Sequence, residues 1–332
     1  MVTKAKVFIY AKAFKGAVKL TDFKLIDEVL PAVRDGQFLA EATYISVDPY
    51  LRNFVANLPE GSVMAGRQVA KVTESRNQDF PVGTTIFGNL GWRSHTIVDP
   101  ARFPAKHDLY ALPDYGNLPY SLAIGALGMV GNSAYYGFLD LCKPKEGEIV
   151  VVTAAAGAVG SLVGQIAKIK GCTVIGFAGS DDKCKWLEEE LGFDKAINYK
   201  TADVEKALKA AAPDGVDCYF DNVGGKLSSI IIDQMRINGR ISICGAISTY
   251  NDDVVMVPSF TTFHRRLLRM EGFMNYRWIK QWMEEGMFEM LQWIQQGKVK
   301  YHETVTEGFE NTTKAFIEMM EGKNFGKALV KV

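Results

Sequence analysis

Apolar positions along the chain follow two rhythms, and the first gives way to the second before the middle. Up to about residue 118, short β-branched and aromatic runs alternate with turn formers: "KVFIYAK", "FLAEATYISV", "QVAKVTES", "TTIFG" and "HTIV", separated by Gly, Pro, Asp and Asn. This texture predicts strands of an antiparallel, barrel-like β domain. From 118 to 141, in "LPYSLAIGALGMVGNSAYYGFLDL", the spacing becomes helical, with Pro119 suited to an early helical position. After Pro144, apolar strands and helices take turns. "EIVVVTA" predicts a buried strand, "VGSLVGQIAKIKG" a helix closed by Gly171, "CTVIGFAGS" a second strand, and "DDKCKWLEEELG" a helix with an acidic start, closed by Gly192. "KAINY", a helix over about 202–211, "VDCYFDNV", a helix over about 225–237 and "GRISICGA" continue the series. Such alternation predicts an α/β fold with a doubly wound parallel sheet covered on both faces. A helix over about 279–296 then stops at Gly297, and "KVKYHETVTEGF" and "GKALVKV" read as strands rejoining the first domain, with a helix over 311–321 between them.

A chain of 332 residues exceeds the usual size of one core, so two domains are expected: 1–125, with 300–332 returning to it, and 126–299. With 48% hydrophobic and 23% charged residues, and 38 basic against 38 acidic side chains, the composition is that of a globular enzyme. No basic excess exists to hold nucleic acid or an anionic membrane, so neither is an expected partner. The mostly apolar stretch 149–167 nears the length of a membrane span, but Thr153, Ser161, Gln165 and three glycines interrupt it, and two short buried elements explain it better. The first apolar run, between lysines, is too short for a secretory signal, and "GKALVKV" carries no lipidation or retention signal. Five cysteines without a C-x-x-C pair fit reduced thiols in the cytoplasm rather than a disulfide framework or a zinc site.

Chemistry enters at the turn Ala155-Ala156-Gly157-Ala158-Val159-Gly160, which lies between a predicted strand and a predicted helix. It is the dinucleotide fingerprint with alanine in the first glycine position. Gly157 admits a close backbone approach to a pyrophosphate, Gly160 admits close packing of helix on strand, and the free N–H groups of the helix start face the phosphates. An NAD site places Asp or Glu at the end of the second strand, whereas this strand ends in Ala178, Gly179 and Ser180. Ser180 as a hydrogen-bond donor and Lys183 as a cation suit a 2′-phosphate, so NADP (NADPH) is the expected cofactor. Asp181 and Asp182 stand close by, in positions also natural for a helix start.

At this point the chain resembles the medium-chain dehydrogenase/reductase superfamily. Its alcohol-oxidising members hold a catalytic zinc through cysteine and a G-H-E motif; the comparable stretch here is "AGRQVAKV", with Arg67 and Gln68 at the ligand positions. Neither is a zinc ligand, and the four histidines at 95, 107, 264 and 302 lack ligand spacing, so no metal is expected. Polarising a substrate oxygen then falls to hydrogen-bond donors, which suits hydride addition to the β-carbon of a conjugated carbonyl compound.

Seven segments carry the resemblance further, to the prostaglandin reductase and leukotriene B4 12-hydroxydehydrogenase group: "SVDPYLRN", "GMVGNSAYYG", "AAAGAVGS", "CYFDNVGG", "ICGAISTYN", "MEGFMNYRW" and "EGFENTTKAF". The resemblance implies a GroES-like β-barrel domain joined to a Rossmann domain. It implies NADPH contacts at Gly157, Ala158, Val159 and Gly160, at Lys183, and at Tyr199. It adds Asn222, the run Cys244, Gly245, Ala246, Ile247, Ser248, Thr249 and Tyr250, then Phe273, Met274 and Asn275, and Asn324 in the tail. Several also have a structural reading: Asn222 as a helix cap, Cys244 as a small core residue, Tyr199 packed on a strand edge. Tyr50 and Tyr276 are the candidate catalytic donors to the substrate oxyanion. Where relatives often place a tyrosine before "LRME", this chain has His264, Arg265 and Arg266. Met129, Tyr135 and Tyr136 read equally as the lining of an apolar cleft and as core.

The implied reaction is NADPH-dependent reduction of the carbon–carbon double bond of α,β-unsaturated ketones and aldehydes, on 15-oxo-prostaglandins and lipid-derived alkenals. Oxidation of the leukotriene B4 12-hydroxyl is the other activity of the group, and a homodimer is the expected assembly. A zinc-independent quinone oxidoreductase and a non-catalytic NADPH-binding protein are the rival readings.

Overall fold

The computed structural model describes residues 3–251 and 260–332. They fall into two compact units: one holds residues 3–125 with 303–324 and 328–332, and the other holds 126–302, apart from the segment not described, with 325–327.

In the first unit, β1 (Lys4–Tyr10) and β2 (Phe23–Val29) form an antiparallel pair. A larger sheet contains β3 (Phe38–Ser46), β4 (Gln68–Ser75), β5 (Thr85–Gly88), β6 (His95–Val98) and β7 (Leu109–Ala111), joined by the tail strands Glu303–Glu307 and Lys327–Lys331. The expected return of the tail is visible in the register: Leu329 pairs with Ser46 and Val330 with Ile45, antiparallel. Aromatic residues fill this core because strands alone leave wide gaps between their faces. Phe8, Phe23, Phe316 and the fully buried Trp92 meet ring to ring at 5.7–6.3 Å.

Among the described residues, the second unit contains six strands: β8 (Ile149–Val152), β9 (Thr173–Ala178), β10 (Lys195–Asn198), β11 (Val216–Asp221), β12 (Met235–Ile243) and β13 (Arg269–Gly272). They stand in the order β10-β9-β8-β11-β12-β13, and every neighbouring pair is parallel. The order runs outward from β8 in both directions, so the doubly wound expectation holds and β8 marks the switch point. β11 is buried along its whole length, its two aspartates included, as a central strand covered on both faces must be. Helices Ala158–Ile169, Asp181–Glu189, Val204–Ala211 and Gly225–Ile232 fill the crossovers. Ser180 and Asp203 cap two of them, each accepting from the amide three residues on.

Two expectations are corrected, and a third, the helix over 279–296, holds with one added feature. The helical stretch from 118 to 141 is two pieces, a 3-10 turn Tyr120–Ile124 and a helix Met129–Cys142. Gly125 and Gly128 between them take dihedrals no helix tolerates, and Pro119 is extended at ψ 145°. The helix expected to reach 237 ends at Ile232, and β12 takes up the chain from Met235 because its apolar positions serve the sheet core. The late helix contains a π-helical turn, Trp282–Gly286, between Ile279–Gln281 and Met287–Gln295. Gly286 is required there: a Cβ would stand 2.9 Å from both the Trp282 and Tyr136 rings.

Candidate functional site

Most of the candidate residues in the second unit follow the carboxyl ends of the six parallel strands. This is where ligands bind in open α/β sheets. The glycine turn follows β8. Gly157 is the N-cap of helix Ala158–Ile169 and brings no side chain to cap it; the first ladder bond runs from the Ser161 amide to the Gly157 carbonyl, 3.0 Å. The amides of Ala158, Val159 and Gly160 therefore precede the helix ladder, an arrangement suited to an anion. A Cβ on Gly160 would run into the carbonyl oxygen of Ala154, which gives the third position of the fingerprint its expected packing role. The turn is braced from the tail, where the Gly326 amide donates to the Ala156 carbonyl at 2.8 Å.

At the ends of β9 and β10, Ser180, Lys183, Tyr199 and Lys200 converge. A Cβ on Gly179 would stand 3.1 Å from the Tyr199 hydroxyl and 3.3 Å from Lys200 Cε, so Gly179 keeps this corner open. Lys183 is half-buried, and burial, followed by the charge of Lys200, lowers its pKa. Two ammonium groups that feel each other across a small space favour a polyanion between them. The Asp181 carboxylate accepts from the Asn198 side-chain amide at 2.7 Å. The donor set fits an adenosine 2′-phosphate, and the end of β9 offers no carboxylate to a ribose 2′-hydroxyl.

Beyond β11, the Asn222 side-chain amide donates to the Thr153 carbonyl at 2.8 Å, and its backbone amide donates to Thr153 Oγ1 at 3.0 Å. The helix-cap reading of Asn222 is thereby overturned. Buried Asp221 caps the following turn instead: Oδ1 accepts from the Val223 and Gly224 amides at 2.8 and 2.9 Å, and Oδ2 from Ser228 Oγ at 2.6 Å. Beyond β12, Cys244 and Gly245 donate their amides to the Asp221 carbonyl. Ala246 leads into a 3-10 turn, Ile247–Thr249, whose Ser248 amide and hydroxyl both bond the Val223 carbonyl. Thr249 Oγ1 closes on the Ala246 carbonyl at 2.8 Å, and Tyr250 lies 3.2 Å from where a Cβ of Gly245 would be. Burial pushes the Cys244 thiol up to about 12, so it is a neutral thiol rather than a nucleophile. Beyond β13, Phe273 packs on Phe220 and Trp278, Met274 is exposed, and the Asn275 carbonyl is held by Asn132 Nδ2 at 3.0 Å.

The remaining candidates divide by unit. Tyr276 is exposed in the second. Tyr50 and Asn324 belong to the first. The half-buried Tyr50 ring lies under the Arg67 guanidinium at 5.5 Å; burial pushes its pKa up to about 12, against a smaller lowering by Arg67. Its hydroxyl remains a proton donor at neutral pH. Gln68 is fully buried and spends its amide on the carbonyls of Gly91 and Arg93. Among the described residues, no cluster of three or more His, Cys, Asp or Glu is arranged to hold a metal ion. Tyr135 and Tyr136 pack among Trp278, Trp282 and Trp293, and the Tyr135 hydroxyl bonds Glu289.

Three contributors escape sequence reasoning: Lys200, Asp221 and the tail turn at Phe325. Lys200 directly follows Tyr199, and the aspartate-before-asparagine pattern at the end of β11 was a usable signal. Phe325 had none, because its partners lie far off in sequence.

Comparison with known proteins places these observations. Residues 6–105 match the family model described as the N-terminal domain of oxidoreductase, and residues 158–296 that described as zinc-binding dehydrogenase. Prostaglandin reductase 1 of Bos taurus is 49% identical, over 98% of this chain and 99% of its own. The 2-alkenal reductase (NADP(+)-dependent) of Nicotiana tabacum is 40% identical, over 87% and 85%. The crystal structure of CurA from Vibrio vulnificus in complex with NADPH superposes with a TM-score of 0.91, at 35% identity, over 98% and 99%.

Proposed function

The chain belongs to the prostaglandin reductase family of the medium-chain dehydrogenases/reductases, and from this premise we propose that it reduces the carbon–carbon double bond of α,β-unsaturated ketones and aldehydes with NADPH. The observation that carries the reading is the corner formed by Ser180, Lys183, Tyr199 and Lys200 beside the glycine turn, which fits a dinucleotide bearing an extra phosphate.

Residues 126–299 form the cofactor domain in this reading, and 1–125 with 300–332 the GroES-like substrate domain. The amides of Ala158, Val159 and Gly160 would hold the pyrophosphate, and Asn222, the loop from Cys244 to Tyr250, Phe273 to Asn275 and Asn324 the remaining cofactor surface. When bound, NADPH supplies the hydride accepted by the β-carbon of the substrate. As negative charge grows on the carbonyl oxygen, an O–H donor must meet it, and Tyr50 and Tyr276 are assigned that task. Burial keeps the Tyr50 proton in place, so Tyr50 donates a hydrogen bond rather than acting as a base.

The substrates in this reading are 15-oxo-prostaglandins and 2-alkenals, with oxidation of the leukotriene B4 12-hydroxyl as the reverse-direction activity, within lipid metabolism. The five free cysteines support a cytoplasmic location, and the exposed outer strand β13 supports a homodimer. No helix among the described residues is long and apolar enough to cross a membrane.

The test follows absorbance of NADPH and, in parallel, NADH with a 15-oxo-prostaglandin, 2-nonenal and a small quinone. Consumption of NADPH with either enone or enal is expected. Turnover of the quinone alone would make the protein a quinone oxidoreductase, and tight NADPH binding without any turnover a non-catalytic binder.

A further inference from the structure

Lys183 carries a long side chain with several rotatable bonds, and recognition of a phosphate requires that it be aimed. Its ammonium nitrogen lies 5.5 Å from the centre of the Phe325 ring. Phe325 also meets Trp186, one helical turn beyond Lys183, edge-on at 5.7 Å. His302 completes the group, 5.6 Å from Trp186 and 6.1 Å from Phe325. The three rings form a closed triangle, with the cation on one of its members.

The backbone fixes this triangle in place. Gly326 has φ 57°, and a Cβ there would run into the His302 carbonyl. Its amide reaches Ala156 at 2.8 Å, and the Lys327 amide reaches the His302 carbonyl at 2.9 Å. One turn of three residues thus touches the glycine turn with its backbone and Lys183 with a ring.

We propose that Phe325 and Gly326 form a clamp that aims Lys183, and that Phe325 thereby sets the preference for a 2′-phosphorylated adenosine. Phe325 is a positioning residue: it acts through the lysine. The ring face attracts the ammonium and narrows its rotamers, so that less freedom is lost when the phosphate arrives. It also holds Lys183 in place against the repulsion of Lys200. The clamp rests on the NADPH reading above.

The test measures binding of 2′,5′-ADP and of 5′-AMP to the full chain by titration calorimetry, with no turnover involved. Phe325→Leu keeps apolar bulk and removes the ring face; it is expected to weaken 2′,5′-ADP by about five-fold and to leave 5′-AMP unchanged. Phe325→Tyr is expected to restore the wild-type preference. In a Lys183→Met background, Phe325→Leu is expected to add no further loss. Should Phe325→Leu fail to fold, Phe325→Met fills the same space with a flexible chain and carries the same expectation. Equal losses for both ligands, or none for 2′,5′-ADP, would overturn the clamp while leaving the NADPH reading intact. A wild-type chain that does not prefer 2′,5′-ADP would overturn that reading, and the clamp with it.

Discussion

In the NADPH reading, single side chains decide the cofactor. Ser180 caps its helix by accepting from the Lys183 amide at 3.4 Å, a duty aspartate performs equally well. Ser180→Asp should therefore fold normally while placing a negative charge where the 2′-phosphate is expected. KM for NADPH should rise by about ten-fold or more, with that for NADH little changed, in steady-state assays of both cofactors. Tyr50 offers a test with a sign. Because burial lifts its pKa from 10.0 to about 12, the folded state holds the phenol proton more tightly than the unfolded chain does. Its contribution to stability is complete below pH 10 and is lost as the pH rises toward 12. Tyr50→Phe should lower kcat with the enone by about ten- to hundred-fold, and the wild-type pH–rate profile should show no alkaline fall from this group below pH 10. Cys244 is governed by the same physics: with its thiol near 12, alkylation at pH 8 followed by mass spectrometry should leave it unmodified.

Elements carry the geometry that these side chains use. Gly160→Ala would force a methyl into the Ala154 carbonyl where helix Ala158–Ile169 crosses β8. It should cost about 1–3 kcal/mol in chemical unfolding and weaken cofactor binding as the helix start moves away. The alternation of strands and helices was legible because β-branched runs such as "EIVVVTA" and helix-stopping glycines such as Gly171 are local signals. Local signals fail where tertiary packing decides. Nothing in "MRINGRISI" announces that β12 begins at Met235, since Asn238 breaks the run at φ 63° and only the sheet core explains Met235 and Ile241. The π-helical turn depends on Gly286 meeting Tyr136, 150 residues earlier in the chain. Of the candidate site, the glycine turn, Ser180 and Lys183 could be read directly because they follow one another in sequence. Asp221 left only the trace of an aspartate before Asn222, and Phe325 left none, since their roles lie in hydrogen bonds and ring contacts that the fold creates.

At the scale of the molecule, among the described residues the six-stranded sheet ends in β13, with the exposed Met270 on it. Such an edge is a liability unless something pairs with it, and the homodimer reading predicts sedimentation at twice the mass of the 36.7 kDa chain. A second whole-molecule test concerns metal: prolonged dialysis against a chelator should leave NADPH-dependent turnover unchanged, because the ligand positions hold Arg67 and Gln68. The Gln68 amide ties two carbonyls across the first unit, a duty a carboxylate cannot perform because it has no N–H to give. Writing histidine and glutamate into positions 67 and 68 would thus deprive the half-buried Gly91 and Arg93 carbonyls of their shared donor before any ion arrived. A zinc site grafted here would need a second donor to take over what Gln68 now does for both carbonyls.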